Sequence, residues 1–198
     1  RNVDLIRQAR QEHLKATGQQ RQRNEVEKVF DKVRANDEGT TVVDMVGNKR
    51  FLTLTAAEKT RAASSFAHNS HVVELFLNGC GINDDFAKEL GEAIKTNFTL
   101  ERIHLESNNF SGEGIKALFE GFEKNSSLKE VRLHKQSKLL ASMHEEVLAD
   151  YLEANHTITK LGIDLRSKMV KVQLDRITAR NINGGLKQRA HRKASCAF

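Results

Sequence analysis

Apolar residues recur along this chain with two alternating periods. In the stretch from 72 to 77, Val72, Leu75 and Leu77 are three and two apart. The two-residue step puts Leu75 and Leu77 on one face of a predicted strand and turns Phe76 to the other. Phe86, Leu90, Ala93 and Ile94 then recur at three and four, the amphipathic helix period. Asp84 and Asp85 stand at the start of that helix, where carboxylates suit the dipole, and both read as solvated. Asn97 closes it and is predicted to be a left-handed C-cap.

The same sentence is written again downstream. Leu100, Ile103 and Leu105 predict a strand, followed by a helix with Ile115, Leu118, Phe119 and Phe122 inward. Leu128, Val131 and Leu133 precede a helix with Val147, Leu148, Tyr151 and Leu152. Ile158, Leu161 and Ile163 precede a last helix whose inward residues are predicted as Val172 and Ile177. Upstream lies a degenerate unit. Val26, Val29, Phe30 and Val33 form a helix stripe, Val43 and Met45 a strand, and Ala62, Ala63, Phe66 and Ala67 a second helix.

Five asparagines mark the rungs: Asn69, Asn97, Asn125, Asn155 and Asn181, separated by 28, 28, 30 and 26 residues. A strand–loop–helix unit of about 28 residues cannot bury its apolar face alone, so neighbours must stack. The predicted fold is α/β: a right-handed leucine-rich-repeat solenoid of about five to six repeats. Its parallel sheet lies on the concave side and its helices on the convex side. In the three central units the position eleven residues after the rung is Cys80, Asn108 and Gln136. That is the slot where a side chain pairs with loop backbone and relays the turn to the next unit. Cys80 therefore reads as structural, not reactive. Three partitions follow: a basic, weakly amphipathic arm over 1–23, a repeat domain over 24–185, and a basic tail or capping helix over 186–198. Gly184-Gly185 reads as a loop before that tail.

These residues resemble one family. Residues 105–133, LESNNFSGEGIKALFEGFEKNSSLKEVRL, and the stretch after them resemble the tropomodulin and leiomodin repeat domain. Its Glu-Ser-Asn after a strand is matched by Glu106, Ser107 and Asn108, and its next turn by Lys135, Gln136 and Ser137, with Lys in place of Asn. NEVEKVFDKVRAND (24–37) resembles the opening helix and turn. The likeness covers 24–198. It departs at NKRFLTLTAAEK, where the family carries prolines and this chain has none, and the basic tail is matched only loosely. The resemblance implies a divergent, non-catalytic module that binds actin and caps filament pointed ends, with tropomyosin engaged through a region N-terminal to this chain. It also implies a monomer in the cytoplasm and cytoskeleton.

Composition narrows the field without naming a partner. The chain of 198 residues is 38% hydrophobic and 29% charged, with a net charge of +6, which favours acidic partners such as actin. No apolar run approaches the roughly 20 residues a membrane span needs. The start at Arg1, without a signal-like stretch, reads as a piece of a longer protein. Two scattered cysteines do not make a disulfide framework, so a reducing compartment is expected. Sequons at Asn97, Asn125 and Asn155 are by-products of the repeat and are expected to be unmodified.

Chemistry is sparse. The eight histidines fall on different elements without metal spacing, and GEGIK lacks the ending of a phosphate loop. Glu145-Glu146 reads as a solvated helix start. No catalytic, metal or cofactor site is expected. The strand residues facing away from the core alternate in sign without an aromatic row, which excludes a nucleic-acid track. The candidate contacts are therefore loop residues Asn78, Asn83, Asn108, Asn109, Ser111, Lys135 and Lys138, with Arg189, Arg192 and Lys193 of the tail. Two other functions fit a repeat surface. One is a regulator of a small GTPase with Arg102 or Arg132 supplied to the enzyme; the other is a generic adaptor.

Overall fold

Five three-residue strands lie side by side in chain order, every pair parallel: β1 (Val42–Asp44), β2 (Glu74–Phe76), β3 (Arg102–His104), β4 (Glu130–Arg132) and β5 (Lys160–Gly162). The computed structural model describes residues 19–195, with side chains described over 25–185. The register is without slip: Val43, Leu75, Ile103, Val131 and Leu161 form one row. The first four are buried and Leu161 packs against the core from its edge. Strand alternation thus sends one row inward and leaves two rows, one starting at Val42 and one at Asp44, on the open face.

Helices alternate with the strands. They are α1 (Gln19–Arg34), α2 (Lys49–Leu52), α3 (Ala56–Ser64), α4 (Asp84–Thr96), α5 (Gly112–Lys124), α6 (Ser142–Glu153) and α7 (Lys168–Ser195). From α3 to α7 each packs on the next, as a stack of units requires. The predicted inward residues of α4 and α5 are all buried, and Phe119 and Phe122 pack with ring centroids 5.3 Å apart. At the N-terminal end Phe30 of α1 meets Phe51 and Phe66, at 5.8 and 6.3 Å. The stretch that lacks the family's prolines forms α2 and α3 instead. Asn48 caps α2, and Thr55 with Glu58 makes a complete capping box on α3.

Two expectations at the C-terminal end are corrected. The inward residues of α7 are Val170, Leu174 and Ile177, while Val172 is exposed. The alternating sequence SKMVKVQLDR offers two apolar stripes, and the sheet side takes the one that continues through Asn181. Gly184 and Gly185 do not form a loop, because α7 runs through them and through the expected border at 185/186. Residues 1–18 of the expected arm lie outside the described residues.

The asparagine rungs are also corrected. Asn97 and Asn125 follow α4 and α5 with φ near −86° and −87°, in extended and not left-handed backbone. Each of the five asparagines is buried, and each reaches back one unit. The amide of Asn97 donates to Phe66 O and Asn69 O, that of Asn125 to Ile94 O and Asn97 O, and that of Asn155 to Phe122 O and Asn125 O. Their carbonyls accept from the backbone N–H groups two and three residues on, as in Asn97 to Thr99 and Leu100. By contrast Asn36, at the end of α1, does take the left-handed form, with φ 54°. The three sequon asparagines are thus buried with every side-chain polar atom engaged.

Candidate partner-binding surface

The surface available to a partner has two parts: the open strand face and the loops leaving the strands. The face is charged but largely self-neutralised. Glu74, Arg102, Glu130 and Lys160 form one row in register. Arg102 pairs with Glu74, while Glu130 holds Arg132 at 2.7 Å and Lys160 at 3.4 Å. Partial burial works against the charge of Glu130, but hydrogen bonds from Arg132 and Lys160 prevail and hold its carboxyl below the usual range. Phe76 stacks edge-on against His104, with centroids 4.9 Å apart. Both arginines offered above as GTPase contacts are thus committed to carboxylates of this chain.

The loops are bound to one another. Gly79, Ser107 and Lys135 occupy equivalent places with φ of 64°, 58° and 59°. Left-handed backbone at a non-glycine residue costs about 1–2 kcal/mol. Here it turns the chain sharply away from the sheet, and neighbours bond across: Gly79 N to Glu106 O at 2.8 Å, and Ser107 N to His134 O at 2.9 Å. In the last loop Asp164 takes over this role, accepting from Lys135 N at 2.6 Å with His134 at 3.0 Å. The backbone bond, then the histidine, lowers the Asp164 carboxyl below its ordinary value. A Cβ at Gly162 would lie 2.4 Å from His134 Nε2, so the half-exposed imidazole would have to move to admit one.

The predicted site residues divide on this frame. Asn108 is corrected, because it is buried. Its carbonyl accepts from Cys80 N and Ile82 N, and its amide donates to Leu77 O and Leu105 O. The relay expected of this slot is present at Gln136 too, which donates to Leu105 O and Leu133 O. Cys80, in the same slot, is buried with its thiol on Met45 O, and burial raises it to about 11. Asn78 accepts from Glu106 N, and Asn83 caps α4 by accepting from Phe86 N. Ser111 donates its hydroxyl and backbone N–H to Asp84, so Asp84 is a brace between repeats, not only a solvated helix start. Asn109, Lys135 and Lys138 are exposed. The loops carrying these residues adjoin, through Asn109 N to Ile82 O and Ser137 N to Asn108 O. The side chains of Arg189, Arg192 and Lys193 lie outside the described residues.

Sequence reasoning missed two apolar members of this edge. Leu139 is 75% exposed and Met143 70%. The signal was the doublet Leu139-Leu140: only one of two consecutive leucines can point inward, and Leu140 does. It also missed Glu145, which is fully buried and accepts from Arg166 N at 2.9 Å and Ser167 N at 2.8 Å. That carboxylate ties the first turn of α6 to the entry of α7. Among the described residues no cluster of histidine, cysteine and carboxylates could hold a metal, and no helix is long and apolar enough to cross a membrane.

Comparison with known proteins agrees with this geometry. Human leiomodin-2 is 29% identical over 167 residues, covering 84% of this chain and 29% of the relative. Leiomodin-1 of Rattus norvegicus is 30% identical over 164 residues, covering 82% and 26%. The chain therefore spans under a third of the length of these relatives. A solved structure of leiomodin-1 actin-binding site 2 superposes with a TM-score of 0.80 at 24% identity, covering 85% of this chain and 96% of that one. The tropomodulin C-terminal domain of Caenorhabditis elegans gives 0.76 at 20% identity, covering 84% and 98%. Both show the same fold. The family model described as TMOD/LMOD Leucine-rich domain matches residues 22–184, and the chain belongs to that family.

Proposed function

We propose that this chain is the actin-binding module of a tropomodulin/leiomodin-type protein and that it acts at filament pointed ends through its strand-to-helix loops. The reading is non-catalytic, as the family is. The observation that carries it is the loop edge itself. Lys135, Lys138 and Leu139 project from a loop bonded laterally to its neighbour, with Met143 beside them on the first turn of α6, while the charges of the strand face are largely engaged with one another. Rigid loops presenting cations beside apolar side chains suit a broad acidic surface that changes little on binding. The leiomodin-1 structure that superposes on this chain is of an actin-binding site, which supports the same partner. Asn78, Asn83, Asn109 and Ser111 extend the contact along the edge, and Arg189, Arg192 and Lys193 belong to it by charge. The module begins at residue 24 and runs on through α7, as a monomer on the actin cytoskeleton. Tropomyosin is engaged by a region before residue 1.

The test is elongation of actin from pointed ends with the opposite ends blocked. The purified chain at micromolar concentration is expected to slow it. Replacing Lys135→Gly together with Lys138→Ala is expected to weaken that effect about tenfold. Lys135→Gly removes the cation where φ is already 59°, so the backbone tolerates it. No effect of the parent chain on pointed ends removes the proposal.

A further inference from the structure

We propose that His144 is a positioning residue: it holds the protruding residues 137–143 of the loop edge in the arrangement that meets the partner. The identity of that partner rests on the actin reading; the holding rests on the fold alone.

The protrusion is an insertion. Asn97 and Asn125 stand 28 residues apart, but Asn125 and Asn155 stand 30 apart. The helices α5 and α6 each begin 13 residues before their closing rung, so the two extra residues lie ahead of α6. Asn108 is followed two positions on by buried Phe110, whereas Gln136 is followed four positions on by buried Leu140. The surplus therefore sits at Ser137, Lys138 and Leu139, all of them exposed. Gln136 ties down one end of this bulge through its amide bonds to Leu105 O and Leu133 O.

The other end runs into a helix without a cap of its own. Ala141 precedes α6 and has no side chain to offer its N–H groups, whereas Asn83 caps α4 and Thr55 caps α3. The first turn of α6 is held sideways instead. His144 Nε2 lies 3.0 Å from Oε1 of Glu113, in the first turn of α5. This bond, ahead of every other influence, keeps the Glu113 carboxyl below its usual range, so the carboxylate accepts and Nε2 carries the proton. Nδ1 is then an acceptor, closed off from solvent without a partner. A Cβ on Gly112 would lie 2.4 Å from both Cγ and Nδ1. The imidazole thus fills the space that a side chain at position 112 would take, at the cost of one unpaired buried nitrogen.

One unit earlier α5 is tied back in the same sense, by Ser111 to Asp84 of α4. Beside His144, Glu145 ties the same turn forward to Arg166 N and Ser167 N. Met143 therefore directly precedes two consecutive side chains that fix α6 to both neighbours, and Leu139 lies between that turn and Gln136. Glu113 is 65% exposed, so the pair adds little to global stability. Its effect is on where the edge points: contact residues whose support is loosened lose affinity while remaining present.

The test uses the chain of residues 1–198 with Glu113→Ala, which removes the acceptor, and Glu113→Gln, which removes the charge but keeps an acceptor for Nε2–H. Glu113→Ala is expected to weaken the slowing of pointed-end elongation about fivefold with an unchanged thermal melt. Glu113→Gln should restore most of the effect. Gly112→Ala, which pushes the ring from its seat, should behave as Glu113→Ala does. In nitrogen–proton correlation spectra the amide signals of residues 138–144 should shift in Glu113→Ala and stay near the parent's in Glu113→Gln, while those of 74–77 do not move. Unmoved signals over 138–144 in Glu113→Ala overturn the proposal. So does a Glu113→Gln variant as weak as Glu113→Ala, or a loss at pointed ends matched by a fall in the melt. If the parent chain has no pointed-end effect, the actin reading fails; the spectra, which need no partner, then decide whether His144 holds the segment.

Discussion

The side-chain amide of Asn125 donates to the main-chain carbonyl of Asn97 at 2.7 Å, across one full repeat. The same bond links Asn97 to Asn69 at 2.9 Å, Asn155 to Asn125 at 2.9 Å and Asn181 to Asn155 at 3.2 Å. The ladder therefore does two tasks at once. It satisfies backbone groups where each helix gives way to a strand, and it fixes the distance between neighbouring units.

Asn125→Ala removes, in a buried setting, two hydrogen bonds donated to backbone carbonyls and two accepted from backbone N–H groups. Unfolding in urea should show a loss of about 4 kcal/mol, near 1 per bond. Asn125→Asp keeps the shape but turns an anion toward two carbonyls, so it should cost at least as much. An aspartate variant as stable as the parent would mean the amide donors carry nothing.

The rungs could be counted in the sequence, but their mechanism could not. Asn at a helix end is compatible with left-handed backbone, as at Asn36, and equally with an extended turn, as at Asn97. The choice is made by the carbonyls of the preceding repeat, which lie about 28 residues away. Leucine positions were legible because strand and helix periods differ locally. Glu145 was not, because Glu145-Glu146 looks the same whichever carboxylate turns inward. The loop edge was half legible: Lys135 and Lys138 stood out, while the slot of Asn108, which looked like a contact, is a buried relay.

Glu145 accepts two backbone N–H groups just before α7, where the helix dipole also favours an anion. Glu145→Ala should cost about 3 kcal/mol, since two buried donors lose their partner. The loss should be local. Hydrogen exchange of residues 166–177 should accelerate while the strands over 74–132 stay protected. Uniform acceleration across both regions would contradict a role in docking α7.

Glycine inside an exposed helix normally gains about 1 kcal/mol when replaced by alanine. In α4 and α5 the sign should reverse. A Cβ on Gly91 would lie 2.4 Å from Ala117 O, and one on Gly121 would lie 2.5 Å from Gly91 O. Both obstacles are backbone, so the helices must separate. Gly121→Ala should therefore destabilise by about 2 kcal/mol or more in chemical denaturation. A more stable variant would show that α4 and α5 are not held this closely.

Cys80 lies within the core, where burial raises its thiol to about 11, with Lys59 acting more weakly in the opposite direction. The ordinary thiol value is ~8.5, so the folded state holds this proton more tightly than the unfolded chain does. The sign follows: the contribution to stability is complete below about pH 8.5 and is lost as pH rises toward 11. At pH 8 the thiolate fraction in the native state is about one in a thousand. In a Cys196→Ser background, iodoacetamide at pH 8 should leave Cys80 unmodified for as long as the chain stays folded, and urea should expose it at the unfolding midpoint. Denaturation monitored from pH 7 to 10 should show stability flat at first and then falling above about pH 8.5. Rapid alkylation of Cys80 in the native protein at pH 8 would instead place the thiol in contact with solvent, and the structural role of its slot in the repeat would have to be abandoned.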